Sequence, residues 1–207
     1  MMLVSTAYLP SIQYIALCEQ SLEIYIEAHE HYLKQSYRNR TRIVSSQGIL
    51  DLTIPVDRPN GSKTIIKDVK ISYAEAWNRK HWHAIVSAYN SSPFFEFYQD
   101  YFSKLYEEKN EFLWDFNLKL LNVIFTITGI KTVIKETDSF IKLNPNDIND
   151  CRYNISPKKE ENQIAFPLYN QVFDESLGFI QNVSIIDAIC NIGPETKKYC
   201  KDLQLSL

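Results

Sequence analysis

Between Tyr32 and Gln47 the chain carries four cationic side chains, Lys34, Arg38, Arg40 and Arg42, and no acidic residue. The whole sequence has a formal net charge of −3. An acid-free run inside an acidic protein suggests a local positive field that holds an anion. Arginine suits that role because its planar fork grips carboxylate or phosphate through two parallel hydrogen bonds. Gln35, Tyr37 and Asn39 are interleaved with the cations and can hydrogen-bond flat, oxygen-rich ligands. The competing reading pairs the cations with carboxylates from elsewhere, such as Glu27 or Asp51, and composition favours neither.

All four histidines fall in two H-x-H pairs, His29-Glu30-His31 and His81-Trp82-His83. On a strand, Glu27, His29 and His31 would share one face, as three ligands of a zinc site do. The second pair sits in a helical stretch, where residues two apart point roughly 200° apart and cannot grip one ion. No CxxC spacing accompanies them, so the expectation is no metal and no cofactor. His81 shares the apolar stripe of Trp77 and Ile85, whereas His83 faces the other way. A half-buried histidine beside Lys80 favours its neutral form, which can act as a general base. A plain buried histidine accounts for the same spacing. No G-x-S-x-G elbow or cysteine with a local histidine is present.

A length of 207 residues bounds one domain with a core that needs neither disulfides nor metal. The sequence pI of about 5.8 argues against a broad nucleic-acid surface. No stretch approaches the ~20 apolar residues of a membrane span, and residues 1–11 lack the cationic start of a signal peptide. Cys18, Cys151, Cys190 and Cys200 read as reduced thiols of a cytoplasmic protein. Oligomeric state is left open.

The elements that must position these groups are legible as an α/β pattern. Residues 2–7 read as a strand, 11–21 as a helix opened at Pro10, and 22–28 as an alternating strand, together a βαβ unit with parallel strands. Segments 48–56 and 64–72 are expected to pair across the Pro59-Asn60-Gly61 turn. A helix ends near Asn90. Ser92-Pro93 then reads as cap and first position of an aromatic helix, from Phe94 to Tyr106. A third helix stops at Gly129, and a strand over 132–135 rejoins the sheet. Residues 142–162 read as a polar loop or insert. Ser184 and Asp187 resemble a capping box. The expected fold is a small N-terminal sheet with a helical middle and C-terminal region.

Three segments together resemble the WbqC-like protein family of bacteria. They are Tyr8-Leu9-Pro10 after the opening strand; Tyr32-x-Lys34-x-x-Tyr37-Arg38-Asn39-Arg40 followed by Leu52-Thr53-Ile54-Pro55-Val56; and Trp77, Lys80-His81, Tyr89 and Pro93-Phe94-Phe95. Gln171, Gly178-Phe179 and Ser184-Ile185-Ile186-Asp187 look like the closing element of the family. The chain departs from the family pattern at Ser5-Thr6, Ser11, Gln13, Ala28, His29 and His31. The resemblance implies a place in O-antigen and surface-polysaccharide gene clusters, which make nucleotide-linked sugars.

The basic run and the resemblance together imply a cytoplasmic enzyme, a transferase acting on a nucleotide-activated (amino) sugar or similar anion such as an acyl or aminoacyl donor. Lys34, Arg38 and Arg40 would hold phosphate or carboxylate. Tyr8, Tyr37 and Asn39 would fix the sugar or base, with Lys80 and His81 moving protons in one shared pocket. The alternative is a non-catalytic binding or assembly protein of the envelope pathway, for which the 94–106 aromatic face would be an exposed partner surface.

Overall fold

The computed structural model describes residues 2–142, 150–157 and 164–205. Short apolar runs form a three-stranded parallel sheet in the order β1 (Met2–Val4), β2 (Glu23–Ile26), β7 (Val133–Glu136). Leu3 pairs with Tyr25, and Ile24 with Ile134. The βαβ unit read from the sequence is therefore present, with shorter strands than the patterns suggested. α1 (Ile12–Glu19) is its crossover, and residues 12–18 are all buried. Its cap is Ser11, whose hydroxyl accepts from the Tyr14 N–H at 3.4 Å, so Pro10 lies before the helix and not at its first turn.

The cationic run feeds a hairpin that the sequence reading missed. β3 (Arg40–Ser45) pairs antiparallel with β4 (Gly48–Thr53), so Arg42 lies opposite Asp51. Gly48, at φ 99°, supplies the positive φ that the tight turn needs. The expected pairing of 48–56 with 64–72 shrinks to β5 (Val56–Asp57) on β6 (Lys70–Ile71). Most of the 48–56 segment is instead occupied by its pairing with β3. Thr41 and Ile43 point inward and are buried, an alternation hidden among the arginines.

The helical middle comprises α2 (Trp77–Tyr89), α3 (Phe95–Glu107) and α4 (Leu113–Thr128), which Gly129 ends in the left-handed region. Ser92 does not cap α3. Its hydroxyl donates to the Tyr89 carbonyl at 2.6 Å and closes α2 instead. Phe95, Phe102 and Tyr106 of the aromatic stripe are core, whereas Phe97 is 70% and Tyr101 49% exposed.

After β7 come α5 (Asp174–Leu177), α6 (Ile185–Ile192) and α7 (Thr196–Asp202). Ser184 caps α6 by accepting from the Ile186 N–H at 3.5 Å. Asp187 does not complete a capping box. Its Oδ1 accepts from Tyr169 at 2.6 Å and Gln171 at 2.9 Å. α6 and α7 pack on α1, completing one mixed α/β domain. Among the described residues no helix is long and apolar enough to cross a membrane. Of the 142–162 segment, residues 143–149 and 158–162 lie outside the described residues. Between them Asp150 bridges Leu3 in parallel and the Cys151 N–H donates to the Leu3 carbonyl at 2.8 Å.

Candidate functional site

Ligands of open α/β sheets bind outside the carboxyl ends of the strands. Here that end is built from buried charge. Glu27 follows β2 directly and is fully buried. Its Oε1 accepts from the His29 N–H at 3.0 Å and the Thr137 hydroxyl at 2.8 Å. Its Oε2 accepts from the Ile141 N–H and from Arg152 Nη1, both at 2.9 Å. Arg152 also donates to the Ile141 carbonyl at 2.8 Å and to Asp150 Oδ2 at 2.6 Å.

Beside it, Arg38 grips Glu30 with two nitrogens, Nε at 2.8 Å and Nη2, and donates to Ser5 Oγ at 2.6 Å. Both side chains are nearly inaccessible. Three carboxylates and two guanidiniums thus satisfy one another. Removing one partner of such a pair strands a buried charge, at a cost of about 3–5 kcal/mol.

Two rings stand on this base. Phe140 lies 5.2 Å from the Arg152 guanidinium, and Tyr153 lies 5.9 Å from both Arg152 and Arg38. With Tyr32 and Leu33 they wall a cavity of about 450 Å³, whose remaining lining is His31, Lys34, Arg58 and Ser62. No Asp or Glu is among those eight residues. The Arg58 guanidinium sits 5.8 Å over the Tyr32 ring. Neither Lys34 nor Arg58 makes an ion pair among the described residues. Phe140 and Leu33 are 45% and 47% exposed, an apolar rim that solvent alone does not favour.

The residues expected to share one pocket occupy separate places. Lys34 lines the cavity, while Arg38 lies beneath it with its charge already engaged by Glu30. Arg40 and Arg42 share a face of β3 and both reach Asp51, at 3.4 and 3.3 Å. Arg38 precedes β3 and is held by Glu30, so it does not share their exposed face, and the carboxylate named as their alternative partner is the one they meet. Asn39 is a brace. Its side chain donates to the Ile54 carbonyl at 2.8 Å, and its own carbonyl accepts from the Ile54 N–H at 2.8 Å. Tyr37 is buried, and its carbonyl accepts from the Tyr8 N–H.

Tyr8 and His81 do come together, as a buried chain. The Tyr8 hydroxyl is 2.9 Å from His81 Nδ1 and 2.7 Å from the Tyr106 hydroxyl. Burial, then the Lys80 charge, pushes the imidazole down to about 4, so it is neutral at pH 7. Burial holds the Tyr8 phenol well above its ordinary range. A neutral imidazole can take a proton through Tyr8, but the chain closes on itself inside an aromatic core of Trp77 and Phe116. Lys80 is separate, largely exposed and paired with Glu75 at 2.8 Å. His29 Nε2 lies 3.1 Å from the Thr137 carbonyl, and His83 is exposed. Among the described residues no three of His, Cys, Asp and Glu converge as metal ligands.

Sequence reasoning missed Arg58, Phe140, Tyr153, Glu30 and Arg152, and named Glu27 only as a partner for the cationic run or a metal ligand, whereas it pairs with Arg152. Arg58 beside the Pro59-Asn60-Gly61 turn was a visible loop cation. Phe140 and Tyr153 carry no spacing signal, because the tertiary anchor Arg152 sets their positions.

The chain is similar to the uncharacterized protein Rv1507c of Mycobacterium tuberculosis, 26% identical over 226 residues covering 96% of this chain and 97% of that protein. No solved structure matches the chain. The model of the WbqC-like protein family matches residues 6–163, which takes in the buried charge base and all the walls of the cavity, and stops short of the Gln171 to Asp187 segment. The chain belongs to the WbqC-like protein family.

Proposed function

We propose that the cavity bounded by Lys34, Arg58, Tyr32, Phe140 and Tyr153 binds a nucleotide-activated (amino) sugar, as substrate of a cytoplasmic transferase of surface-polysaccharide precursor metabolism. The observation that carries this reading is a pair of cations without carboxylate partners among the described residues, set among aromatic rings outside the carboxyl ends of a parallel sheet. Unpaired cations repel one another and are normally kept for a ligand. The flat rings suit a base or sugar face. Lys34 and Arg58 take the diphosphate, and Arg38 supports the wall from below. His31 is the acid–base group on the cavity wall and is better placed there than His81 and Lys80. Orientation around a charged substrate supplies catalysis without a nucleophile motif.

The second reading, a non-catalytic binding or assembly protein, draws on the exposed Phe97 and Tyr101, four positions apart on α3. Calorimetric titration with a panel of uridine, thymidine, guanosine and cytidine diphosphate sugars tests the first. Saturable binding that Arg58→Ala weakens at least tenfold is expected; no binding across the panel overturns it. Binding without turnover, using amino and hydroxyl acceptors and acyl donors, favours the second.

A further inference from the structure

A second cavity, of about 520 Å³, opens between the start of α2 and the end of α3. Its aromatic wall is built from stacked rings. Trp82 is stacked between Phe95, at 6.1 Å, and Tyr106, at 5.8 Å, with interplanar angles of 24° and 28°. Tyr106 is fixed at both ends, by its hydroxyl to Tyr8 at 2.7 Å and by its carbonyl, which accepts from Asn78 Nδ2 at 2.7 Å. Tyr73 adds a third ring to the lining and lies 5.6 Å beneath the Lys109 ammonium.

Charges of both signs share the rim: Arg79 and Lys109 against Glu75 and Glu107. Arg79, Lys109 and Glu107 make no ion pair among the described residues. Glu75 is held below the usual carboxylate range by its hydrogen bond to Lys80. Both members of that pair are mostly exposed, so a ligand ammonium can take over the carboxylate at little cost.

This composition selects among ligand classes. Two carboxylates repel a diphosphate, and two cations repel a simple amine. A molecule carrying both an ammonium and a carboxylate on an apolar or flat body satisfies every part of the lining. We propose that this cavity binds a zwitterionic ligand, an α-amino acid with an aromatic or large apolar side chain. Glu75 and Glu107 face its ammonium, Arg79 and Lys109 its carboxylate, and the wall of Trp82 and Tyr106 its side chain. The proposal is independent of the nucleotide reading, because it uses no residue of the first cavity.

The test uses the full chain and the panel of natural α-amino acids, read by the indole N–H resonances of the three tryptophans, with Trp82 assigned through Trp82→Phe. For phenylalanine, phenethylamine and 3-phenylpropanoate separate the two charges. Saturable shifts of the Trp82 resonance are expected for the zwitterion, with at least tenfold weaker binding of either half-molecule. Arg79→Gln should weaken phenylalanine and 3-phenylpropanoate but not phenethylamine, and Glu107→Gln should weaken phenylalanine and phenethylamine but not the acid. Both side chains lie on the cavity rim outside the core, so the variants are expected to fold, which unchanged dispersion of the remaining resonances verifies. No saturable shift with any amino acid, equal binding of the half-molecules, or shifts indifferent to both variants would overturn the proposal.

Discussion

His81 gives the fold a pH dependence whose size comes from its burial. The perturbation is a drop from pH 7 to pH 5, compared between the wild-type chain and His81→Gln. In the folded chain the imidazole titrates near 4, against 6.5 when free. The folded pKa is depressed, so the unfolded chain binds the extra proton. The stability that His81 contributes is fully present above pH 6.5 and is lost as pH falls towards 4. Proton linkage between those two values makes protonation cost under about 0.2 kcal/mol at pH 7 and about 2 kcal/mol at pH 5. Asp187, whose carboxyl burial pushes up, acts in the opposite direction, and comparison with the variant cancels it. Urea unfolding followed by tryptophan fluorescence at the two pH values is the assay. The wild type should lose about 2 kcal/mol more than His81→Gln. Parallel losses, within about 0.5 kcal/mol, would refute a buried neutral imidazole held by Tyr8.

The same geometry sets three further outcomes. Arg38→Met should destabilise the fold by about 3–5 kcal/mol, because Glu30 would be left as an unpaired buried charge; Glu30→Leu with Arg38→Met should recover most of it in chemical denaturation. Lys80→Ala should leave the thermal midpoint and sugar-nucleotide affinity unchanged, since its partner Glu75 is as exposed as itself. Gly193→Ala should lower the thermal midpoint, because Gly193 sits at φ 48° and an added Cβ would lie 2.5 Å from the Phe94 ring.

The fold was legible where local pattern and global packing agree. The strand–helix–strand opening, the helix ended by Gly129 and the returning strand at Val133 each arise from periodicity or a capping residue, and the structure contains all three. The hairpin of β3 and β4 was not legible, because its polar face carries Arg40 and Arg42. Their charge drew attention from the Thr41 and Ile43 alternation that marks a strand. The site divided in the same way. Lys34 was visible as a cation in an acid-free run. Whether Arg38 faced a ligand or a carboxylate depended on Glu30, eight residues earlier, and on a chain reversal no spacing reveals. Phe140 and Tyr153 were beyond reach, since a side chain 125 positions from Glu27 anchors them.

In the function proposed above, Lys34 and Arg58 receive the phosphates of a nucleotide-linked ligand above the Glu30–Arg38 base. A crystal structure of the full chain soaked with the tightest-binding sugar nucleotide tests it most directly. Phosphate oxygens are expected within hydrogen-bond distance of Lys34 Nζ and the Arg58 guanidinium, with a ligand ring against Phe140 or Tyr153 and the Arg38–Glu30 pair unbroken. A ligand ordered elsewhere, with that cavity holding only water, would contradict it.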